Sequence, residues 1–523
     1  MSGVDRRALL GGAVSLAALV PVRLRAASTA SIVRTRAGPV RGRIEDGLHV
    51  FRGLRYGQDA RFRRFLPPLP PRPWTEPADA TAFAPSCPQK GQVGPTSEDC
   101  LFLNVWTPGP DAAARRPVMV YIHGGAYSTG SVVTPLNDGR HLAARGDVVV
   151  VTVNHRLHAL GYLYLARLDP RFPDSGNVGQ LDLILALQWV RDNIAAFGGD
   201  PGKVMVFGQS GGGAKIATLM GTPAARGLFH RATTMSGQQV TASGPLNATA
   251  RARAYLGKLG IAPSDIDRLR ALPIERLVEG LDASDPILPS GGVYFGPVLD
   301  QRILLRHPFY PDANPRGLSI PMMLGNMHDE TRAFIAEDSP AVRGLDWNNL
   351  AQRLAPELRV DILPDHVVSA YRAFFPRHTP LQIFYAATTA SRSWRGQVIE
   401  AEERAKAGAA AFVYQVDYVS PQDPSRGTPH GMDIPLAFGT IDAPGSPSGT
   451  GPAARAASAM LMNAFLAFAR TGDPNHVGLP HWPEYDLRQR ATMIFDVGAH
   501  VVNDPRREER LLFAAVPYIQ PGS

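Results

Sequence analysis

A serine between glycines is the residue of this chain whose surroundings most favour chemistry. Residues 208–212 read GQSGG, after an apolar run at 203–207 and before a helix-compatible run at 214–220. A tight turn from strand to helix would lift the Ser210 hydroxyl clear of a sheet and aim the first helical amides at a developing negative charge. The flanking glycines would allow the close backbone passage that such a turn needs. The pattern predicts a nucleophile, although a bare motif of this kind also arises by chance.

A nucleophilic serine needs partners that this motif does not contain. Its hydroxyl requires a base to accept the proton, an acid to orient that base, and donors for the oxyanion. The chain has 14 histidines and 46 acidic residues, so spacing alone does not select the partners. By themselves, His123 and His328 compete with His430 for the role of base. Asp329 is as good a candidate for the acid as Glu330.

Strand and helix signals alternate around the serine. Residues 117–123 and 147–154 are apolar runs of strand length, and the second is rich in valine, as is typical of a strand buried on both faces. Residues 181–197 carry apolar side chains on one helical face and end at a Gly-Gly stop, and the run at 203–207 follows. Strand, helix, strand, turn and helix in this order predict an α/β fold with a parallel sheet.

Signals outside this region are weaker. Near the start, short β-type runs at 32–35 and 48–52 precede a proline-rich irregular segment at 65–74. In the second half, the predicted strands are 298–305, 322–324 and 411–416. The predicted helices are 350–358 and 453–471, with a Gly/Ser/Pro loop at 444–452 before the second.

Composition indicates an ordinary globular protein. The chain has 523 residues, of which 44% are hydrophobic and 19% charged, enough for a sizeable core. Length alone suggests about three domains, but an α/β unit with long insertions can use this length, so we predict one catalytic domain over residues 31–523. The net charge of +8 is spread along the chain. Because no basic run interleaves with aromatic residues, nucleic-acid binding is disfavoured.

Residues 1–30 have the features of an export signal. Arg6 and Arg7 precede an apolar stretch at 8–22, and small residues follow at 26–30. Twin arginines before a mild apolar stretch are typical of a twin-arginine export address, and this stretch is too short to span a bilayer comfortably. A retained membrane anchor is the weaker alternative. We therefore predict a bacterial protein exported to the periplasm or medium, without stable membrane insertion, whose mature chain begins near Ser28 or Ser31.

Cys87 and Cys100 are the only cysteines of the chain. Export implies an oxidising compartment, in which two such cysteines tend to pair. We therefore predict a disulfide, and the short enclosed loop limits its stabilisation to roughly 3 kcal/mol or less. Two free buried thiols are the alternative if the chain is not exported.

Several longer motifs resemble those of the type-B carboxylesterase and cholinesterase family of α/β-hydrolases. They cover nearly all of the predicted mature chain and occur in the family's order, which makes them more specific together than any one alone. They are SEDCLFLNV (97–105), HGGAY (123–127), NVG and LD (177–182), the segment 189–201, TGDPN (471–475) and WP (482–483). The resemblance implies an α/β-hydrolase fold: a mostly parallel central sheet with helices on both faces and long insertions.

The resemblance also implies a Ser-His-Glu triad. Ser210 matches the acyl-accepting serine, and the order Ser, Glu, His is that of the α/β-hydrolases. GNMHDE (325–330) resembles the segment that ends in the triad acid, which places the acid at Glu330. TPHGMDIP (428–435) resembles the segment that contains the base, which places it at His430.

Further assignments follow from the same resemblance. The implied oxyanion donors are the backbone amides of Gly125, Ala126 and Gly211. Cys87 and Cys100 match the family's first disulfide. Ser236, in MSG (235–237), is similar to a serine near the triad, with an ordinary core serine as the alternative.

Three departures from the family pattern bear on the site. Gln209 stands where the family often has Glu, so a negative charge near the imidazolium is lost. Gly211 stands where Ala is usual, and we expect this to loosen the oxyanion hole and enlarge the acyl pocket. The segment 88–99 contains no aromatic residue to bind a quaternary ammonium, so a choline ester is disfavoured as substrate.

We therefore predict a serine esterase that cleaves small-molecule carboxylic esters through an acyl-enzyme. No metal-ligand cluster is evident, so neither a metal nor an organic cofactor is expected. An amide, lactone or thioester hydrolase of the same mechanism is one alternative. The other is a non-catalytic extracellular binding or adhesion module, although such relatives typically lack the nucleophile that is present here.

Overall fold

The sheet that carries the serine is the largest element of the fold. The computed structural model describes residues 30–91, 94–288, 291–520 and 522, so the predicted export signal lies almost entirely outside the described residues. The strands of the sheet are β1 (Ala30–Arg34), β2 (Pro39–Glu45), β3 (Leu48–Arg55), β4 (Ala78–Asp79), β5 (Phe102–Thr107), β6 (Arg116–Ile122), β7 (Val149–Val153), β8 (Gly199–Gln209), β9 (Arg231–Met235), β10 (Met322–Met327), β11 (Ala411–Val416), β12 (Ala491–Phe495) and β13 (Ala499–Asn503).

The middle of this sheet is parallel, and its edges are antiparallel apart from the short β4, which pairs parallel with β2. The strand order is β1-β2-β3-β5-β7-β6-β8-β9-β10-β11-β12-β13, and β4 pairs with β2. All pairs from β7 through β12 are parallel. The carboxyl ends of these strands therefore meet at one edge, which is where open α/β sheets place their sites.

Helices connect the strands and cover the sheet. They are α1 (Arg140–Gly146), α2 (His158–Tyr162), α3 (Val178–Asn193), α4 (Gly211–Gly221), α5 (Pro245–Lys258), α6 (Ile266–Ala271), α7 (Ile274–Glu279), α8 (Leu350–Leu354), α9 (Pro364–Phe374), α10 (Pro380–Thr389), α11 (Arg395–Lys406), α12 (Asp433–Phe438), α13 (Pro452–Thr471) and α14 (Arg507–Ala514). A π-helical turn, Ala390–Trp394, joins α10 to α11.

Alternating side chains of the central strands build one core on each face. On β6, Val118 and Val120 pack in a cluster with apolar residues of α3. Met119 and Tyr121 alternate with them along the strand. They belong to the cluster on the other face of the sheet, with residues of α13. Successive side chains of a strand point to opposite faces, so a strand apolar at every position is covered on both. The predicted α/β fold, with helices on both faces of a mostly parallel sheet, is confirmed.

A third hydrophobic cluster is the core of the long helical insertion in the second half of the chain. Helices α8, α9 and α10 pack there with α14, around side chains such as Leu350, Val367, Ile383 and Phe513. Because the insertion lies between β10 and β11, it follows the strand that ends just before the candidate acid. The predicted helix at 350–358 is shorter in the structure, ending at Leu354.

One predicted strand is wrong. Residues 298–305 form no strand beyond an isolated bridge between Ser243 and Val298. The Asn177 side chain instead pairs with the backbone of Val298, donating to its carbonyl at 2.8 Å and accepting from its amide at 3.0 Å. The Asp300 carboxylate accepts from the next backbone amides and closes a turn. Side chains thus satisfy the backbone that a sheet would otherwise have paired.

The described ranges lack two features, a membrane-spanning helix and a metal cluster. Within them, no helix combines the length and apolarity that crossing a bilayer requires. The same residues contain no group of three His, Cys, Asp or Glu side chains arranged to hold a metal ion.

Candidate active site

Ser210 occupies the turn between β8 and α4. Its backbone has φ of 56° and ψ of −127°, a conformation that is strained for a residue with a side chain. The turn is held by a hydrogen bond from the Ser210 amide to the carbonyl of Met235 at 2.7 Å. The sequence-predicted strand-turn-helix arrangement around the serine is therefore confirmed.

His430 and Glu330 lie in direct contact, although they are 100 residues apart in the chain. His430 Nδ1 donates to Glu330 Oε2. The Glu330 side chain is fully buried, and its Oε1 accepts from Asn326 Nδ2 at 3.0 Å and from the Met327 amide at 2.8 Å. These donors fix the carboxylate in one orientation, and the carboxylate in turn fixes the imidazole.

The competing residues lie elsewhere. Asp329 accepts from the Thr428 amide at 3.0 Å and pairs with His328, whose side chain is half-exposed. His123 Nδ1 donates to the carbonyl of Gly124 at 2.9 Å, and its ring stacks on that of His155 with centroids 4.7 Å apart. His123 thus supports the loop after β6, and of the two neighbouring carboxylates it is Glu330 that contacts His430.

Gln209 makes a contact that the sequence did not reveal. Its Nε2 lies 2.9 Å from His430 Nε2. Since an amide nitrogen only donates, His430 Nε2 accepts here, and the ring proton lies on Nδ1, facing Glu330. In the described part of the chain, no hydrogen bond joins His430 to the hydroxyl of Ser210. Gln209 therefore occupies the lone pair that would have to receive the serine proton.

Replacing Gln209 by glutamate is expected to shift the acid limb of the kcat/KM profile upward by about one pH unit. A carboxylate at hydrogen-bond distance from Nε2 stabilises the imidazolium, so the base stays protonated to higher pH. The profile is measured with a nitrophenyl ester between pH 5 and 9. Gln188→Glu on α3 adds the same charge away from the site and should leave the profile in place. An unshifted profile for Gln209→Glu would contradict the contact.

The predicted oxyanion donors lie on two segments that touch. Gly125 and Ala126 both have left-handed backbones, with φ of 84° and 50°. A Cβ on Gly211 would stand 2.0 Å from the Ala126 carbonyl oxygen, so the loop after β6 rests directly on the start of α4. In the residues that the structure describes, the amides of Gly125, Ala126 and Gly211 have no protein acceptor, which leaves them free to bind an oxyanion.

This close approach corrects the expectation for Gly211. The absence of a side chain there was expected to loosen the oxyanion hole and enlarge the acyl pocket. Instead, the space is filled by the Ala126 backbone, whose Cα lies 2.4 Å from the position of a Cβ on Gly211. Glycine at this position therefore permits tight packing of the loop on α4.

Ser236 lies next to the nucleophile's turn. Its amide donates to the carbonyl of Gly325 at 2.7 Å, and a Cβ on the following residue, Gly237, would stand 1.9 Å from the Ser210 carbonyl oxygen. The hydroxyl of Ser236 is buried and has no hydrogen-bond partner among the described residues. The structure thus places Ser236 beside Ser210, as the resemblance implied.

Two buried charged residues near the site were missed. Asp433 lies close to Glu330, and burial together with the Glu330 charge raises the pKa of Asp433 to about 7. Lys215 lies on α4 and is fully buried. Its sequence signal was a single lysine in a helix otherwise made of small and apolar residues. The only sequence signal for Asp433 was its position three residues after His430.

The predicted disulfide is not formed in the structure. Cys87 and Cys100 are two free thiols, both buried. Burial alone would raise the pKa of Cys87, but hydrogen bonds with Cys100 and His158 lower it to about 6. The two thiols contact each other, so oxidation could join them. The disulfide stays a prediction for the oxidised protein.

Fold and site together define the class of the protein. A serine on a strand-to-helix turn, a buried carboxylate paired with an imidazole, and free amides at the carboxyl edge of a parallel sheet are the arrangement of an α/β-hydrolase. Residues 29–514 match the family model described as Carboxylesterase family. The chain belongs to the carboxylesterase family and is a carboxylic ester hydrolase of its type-B group.

Individual relatives agree with this membership. The chain is 34% identical over 502 residues to a para-nitrobenzyl esterase of Bacillus subtilis, covering 92% of this chain and 98% of that protein. It is 35% identical over 511 residues to a phenmedipham hydrolase of Pseudarthrobacter oxydans, covering 92% and 99%. The crystal structure of a Geobacillus stearothermophilus carboxylesterase superposes with a TM-score of 0.83 at 36% identity, covering 92% and 99%. The predicted fold and family are confirmed.

Proposed function

We propose that this carboxylesterase hydrolyses small-molecule esters through an acyl-enzyme formed on Ser210, with His430 as base and Glu330 as the acid that orients it. The contact between His430 Nδ1 and Glu330 Oε2 carries the proposal, because it joins two segments 100 residues apart beside the turn of Ser210. A neutral imidazole with its proton on Nδ1 presents the lone pair of Nε2, as a general base requires.

Acylation would begin when His430 Nε2 exchanges Gln209 for the serine hydroxyl. Ser210 Oγ attacks the ester carbonyl carbon while its proton passes to Nε2, and the carbonyl oxygen becomes the oxyanion. When the tetrahedral intermediate collapses, the ester C–O bond breaks and the Nε2 proton goes to the leaving alcohol. Water then attacks the acyl-enzyme by the same route and releases the acid.

The oxyanion would be held by the amides of Gly125, Ala126 and Gly211. Each donor of this kind contributes roughly 3 kcal/mol to lowering the barrier in comparable enzymes. Two come from the loop after β6 and one from the first residue of α4, so the packing of the loop on the helix sets their geometry.

An ester is proposed ahead of an amide, lactone or thioester because para-nitrobenzyl esterase and the carboxylesterases are named for ester cleavage. A binding or adhesion module is disfavoured by the site itself. Such a module has no need of the strain at Ser210 or of a buried carboxylate bonded to an imidazole, and both are present.

A burst experiment tests the proposal. Mixed with para-nitrophenyl acetate, the protein should release one equivalent of nitrophenolate per active site in a fast phase, followed by steady turnover. Acid-quenched protein should carry one acetyl group on the peptide that contains Ser210. A folded protein that gives neither a burst nor labelling by a fluorophosphonate would favour the binding module.

We also propose that the protein is exported by a twin-arginine route. The support is the sequence of residues 1–30, where Arg6 and Arg7 precede the apolar stretch. N-terminal sequencing of the mature protein from the periplasm or medium should find a start near Ser28 or Ser31.

A further inference from the structure

Lys215 is a buried cation that contacts the loop of the candidate oxyanion site. It lies on α4, five residues after Ser210, with no exposed surface. Its Nζ donates to the carbonyl of Ala126 at 2.6 Å and to that of His123 at 3.3 Å. Nζ also lies 5.2 Å from the ring centroid of Tyr127. All three groups belong to the loop at residues 123–127, which we call the oxyanion loop.

The Lys215 cation has no compensating carboxylate among the described residues. In the part of the chain that the structure describes, Lys215 forms no ion pair, and its environment shifts the pKa through burial alone, lowering it to about 7. Lysine is among the residues least often buried, because an unpaired charge is costly to remove from water. A residue retained at such a cost points to a role beyond packing.

The contacts of Nζ suit the ammonium form. Its three N–H bonds match two carbonyl oxygens and the face of an aromatic ring, which is negative. A neutral amine would direct its lone pair at one of these negative groups. The local geometry therefore opposes the effect of burial and favours the charge.

The two carbonyls bracket the residues that supply the oxyanion donors. His123 precedes them, and Ala126 ends them. Between these anchors, Gly125 has φ of 84°, and Ala126 itself has φ of 50°, where a residue with a side chain is strained. A loop in this shape needs outside contacts to hold it, and Lys215 bonds it at both ends.

The contact of Lys215 falls where the loop meets α4. The Ala126 oxygen that accepts from Nζ is the atom 2.0 Å from the position of a Cβ on Gly211. The lysine thus holds this carbonyl in space that only glycine leaves open. Lys215 and Gly211 therefore both contact the Ala126 carbonyl. Lys215 donates a hydrogen bond to it, and Gly211 leaves room for it because it has no side chain.

We propose that Lys215 is a positioning residue that holds the oxyanion loop against α4, and that its ammonium charge strengthens binding of the oxyanion formed at Ser210. The inference rests on the proposed function of Ser210. A fixed positive charge close to a developing negative one, in a site that excludes water, stabilises the transition state more than the ground state.

The charge of Lys215 predicts a pH dependence that its neighbours do not share. Burial and the Lys215 charge lower the pKa of His123 to about 3 and that of His155 well below its usual range. Burial raises the pKa of Tyr127 well above 10. The adjoining loop and α3 carry the paired Arg156 and Asp182. Burial lowers the pKa of Lys215 to about 7, and the two carbonyls and the ring oppose that shift. Loss of the Lys215 proton as pH rises should therefore lower kcat/KM.

Lys215→Met tests the inference directly. Methionine matches the length of the side chain and removes both charge and donors. We expect kcat/KM for a nitrophenyl ester to fall about 100-fold at pH 7, mostly in kcat. Affinity for a trifluoromethyl ketone, which forms a tetrahedral adduct with the serine hydroxyl, should fall in parallel. The alkaline decline of the wild-type profile should disappear. Lys203→Met, on β8 with a half-exposed side chain, is the control and should change none of these.

A double-mutant cycle tests the link to Gly211. In the wild-type background, Gly211→Ala should cost about 100-fold in kcat, because the new methyl displaces the Ala126 carbonyl held by Lys215. With Lys215→Met, that carbonyl is free to move, so adding Gly211→Ala should cost little more. Effects that multiply instead would show that the two residues act independently and would overturn the coupling.

The outcomes separate this inference from the proposed function. A wild-type protein without esterase activity or Ser210 labelling defeats both. An active wild type with normal kcat, ketone affinity and pH profile in Lys215→Met overturns only the role of the lysine, as does a rise in KM at constant kcat. If Lys215→Met does not fold, Lys215→Gln, which keeps donors without charge, replaces it. In either variant, unchanged kcat together with unchanged ketone affinity contradicts the role of the Lys215 charge.

Discussion

Ser210→Ala should lower kcat for a nitrophenyl ester by about a million-fold and abolish labelling by a fluorophosphonate. The hydroxyl is the atom that bonds to the acyl group, so His430 and Glu330 have nothing to activate without it. The side chain sits at a turn whose backbone is held by the Met235 carbonyl and by close contact with Gly237. A methyl in place of a hydroxymethyl leaves these contacts intact, so the variant should fold.

The measurement needs a control that separates the nucleophile from other serines. Ser319→Ala changes an exposed serine outside the site and should be labelled and active like the wild type. Ser236 is the informative competitor, because its hydroxyl is buried next to the nucleophile's turn and has no partner in the part of the chain that the structure describes. Labelling that persists in Ser210→Ala and maps to Ser236 would mean that the nucleophile has been assigned to the wrong serine.

What the sequence predicted well was local. The apolar runs at 117–123 and 147–154 became β6 and β7, since burial on both faces demands apolar side chains at nearly every position. The turn at Ser210 was also predictable. Its glycines are required by close contacts with residues nearby in the chain or on the adjacent strand. Such elements can be predicted because the residues that determine them lie within the element itself.

What the sequence did not predict depends on contacts between distant segments. Residues 298–305 have a strand's composition, but Asn177 pairs with their backbone and Asp300 folds it into a turn. The tightness at Gly211 is set by the carbonyl of Ala126, 85 positions earlier in the chain. The lone lysine at 215 was visible, but only the loop that covers it shows what its charge contacts. The residues adjacent to a side chain in the sequence do not reveal which distant residues it contacts in the fold.

The choice between Glu330 and Asp329 illustrates this, since adjacent carboxylates cannot be separated by motif spacing alone. Glu330 is buried and bonds to His430, while Asp329 accepts from the Thr428 amide. We therefore expect Glu330→Gln to lower kcat about ten-thousand-fold, in line with the removal of a triad carboxylate elsewhere. Asp329→Asn should cost less than about tenfold, because an amide oxygen can still accept from Thr428.

The size of the Glu330 effect follows from the donors around it. Asn326 Nδ2 and the Met327 amide both donate to Oε1, so a glutamine would keep its oxygen there and turn its NH₂ group toward His430. Nδ1 would then have to accept, and the ring proton would move to Nε2. That tautomer presents no lone pair to Ser210. Steady-state kinetics between pH 6 and 9, with circular dichroism to confirm folding, compare the two variants. A larger loss from Asp329→Asn would move the acid by one residue and leave the His430 contact without a catalytic role.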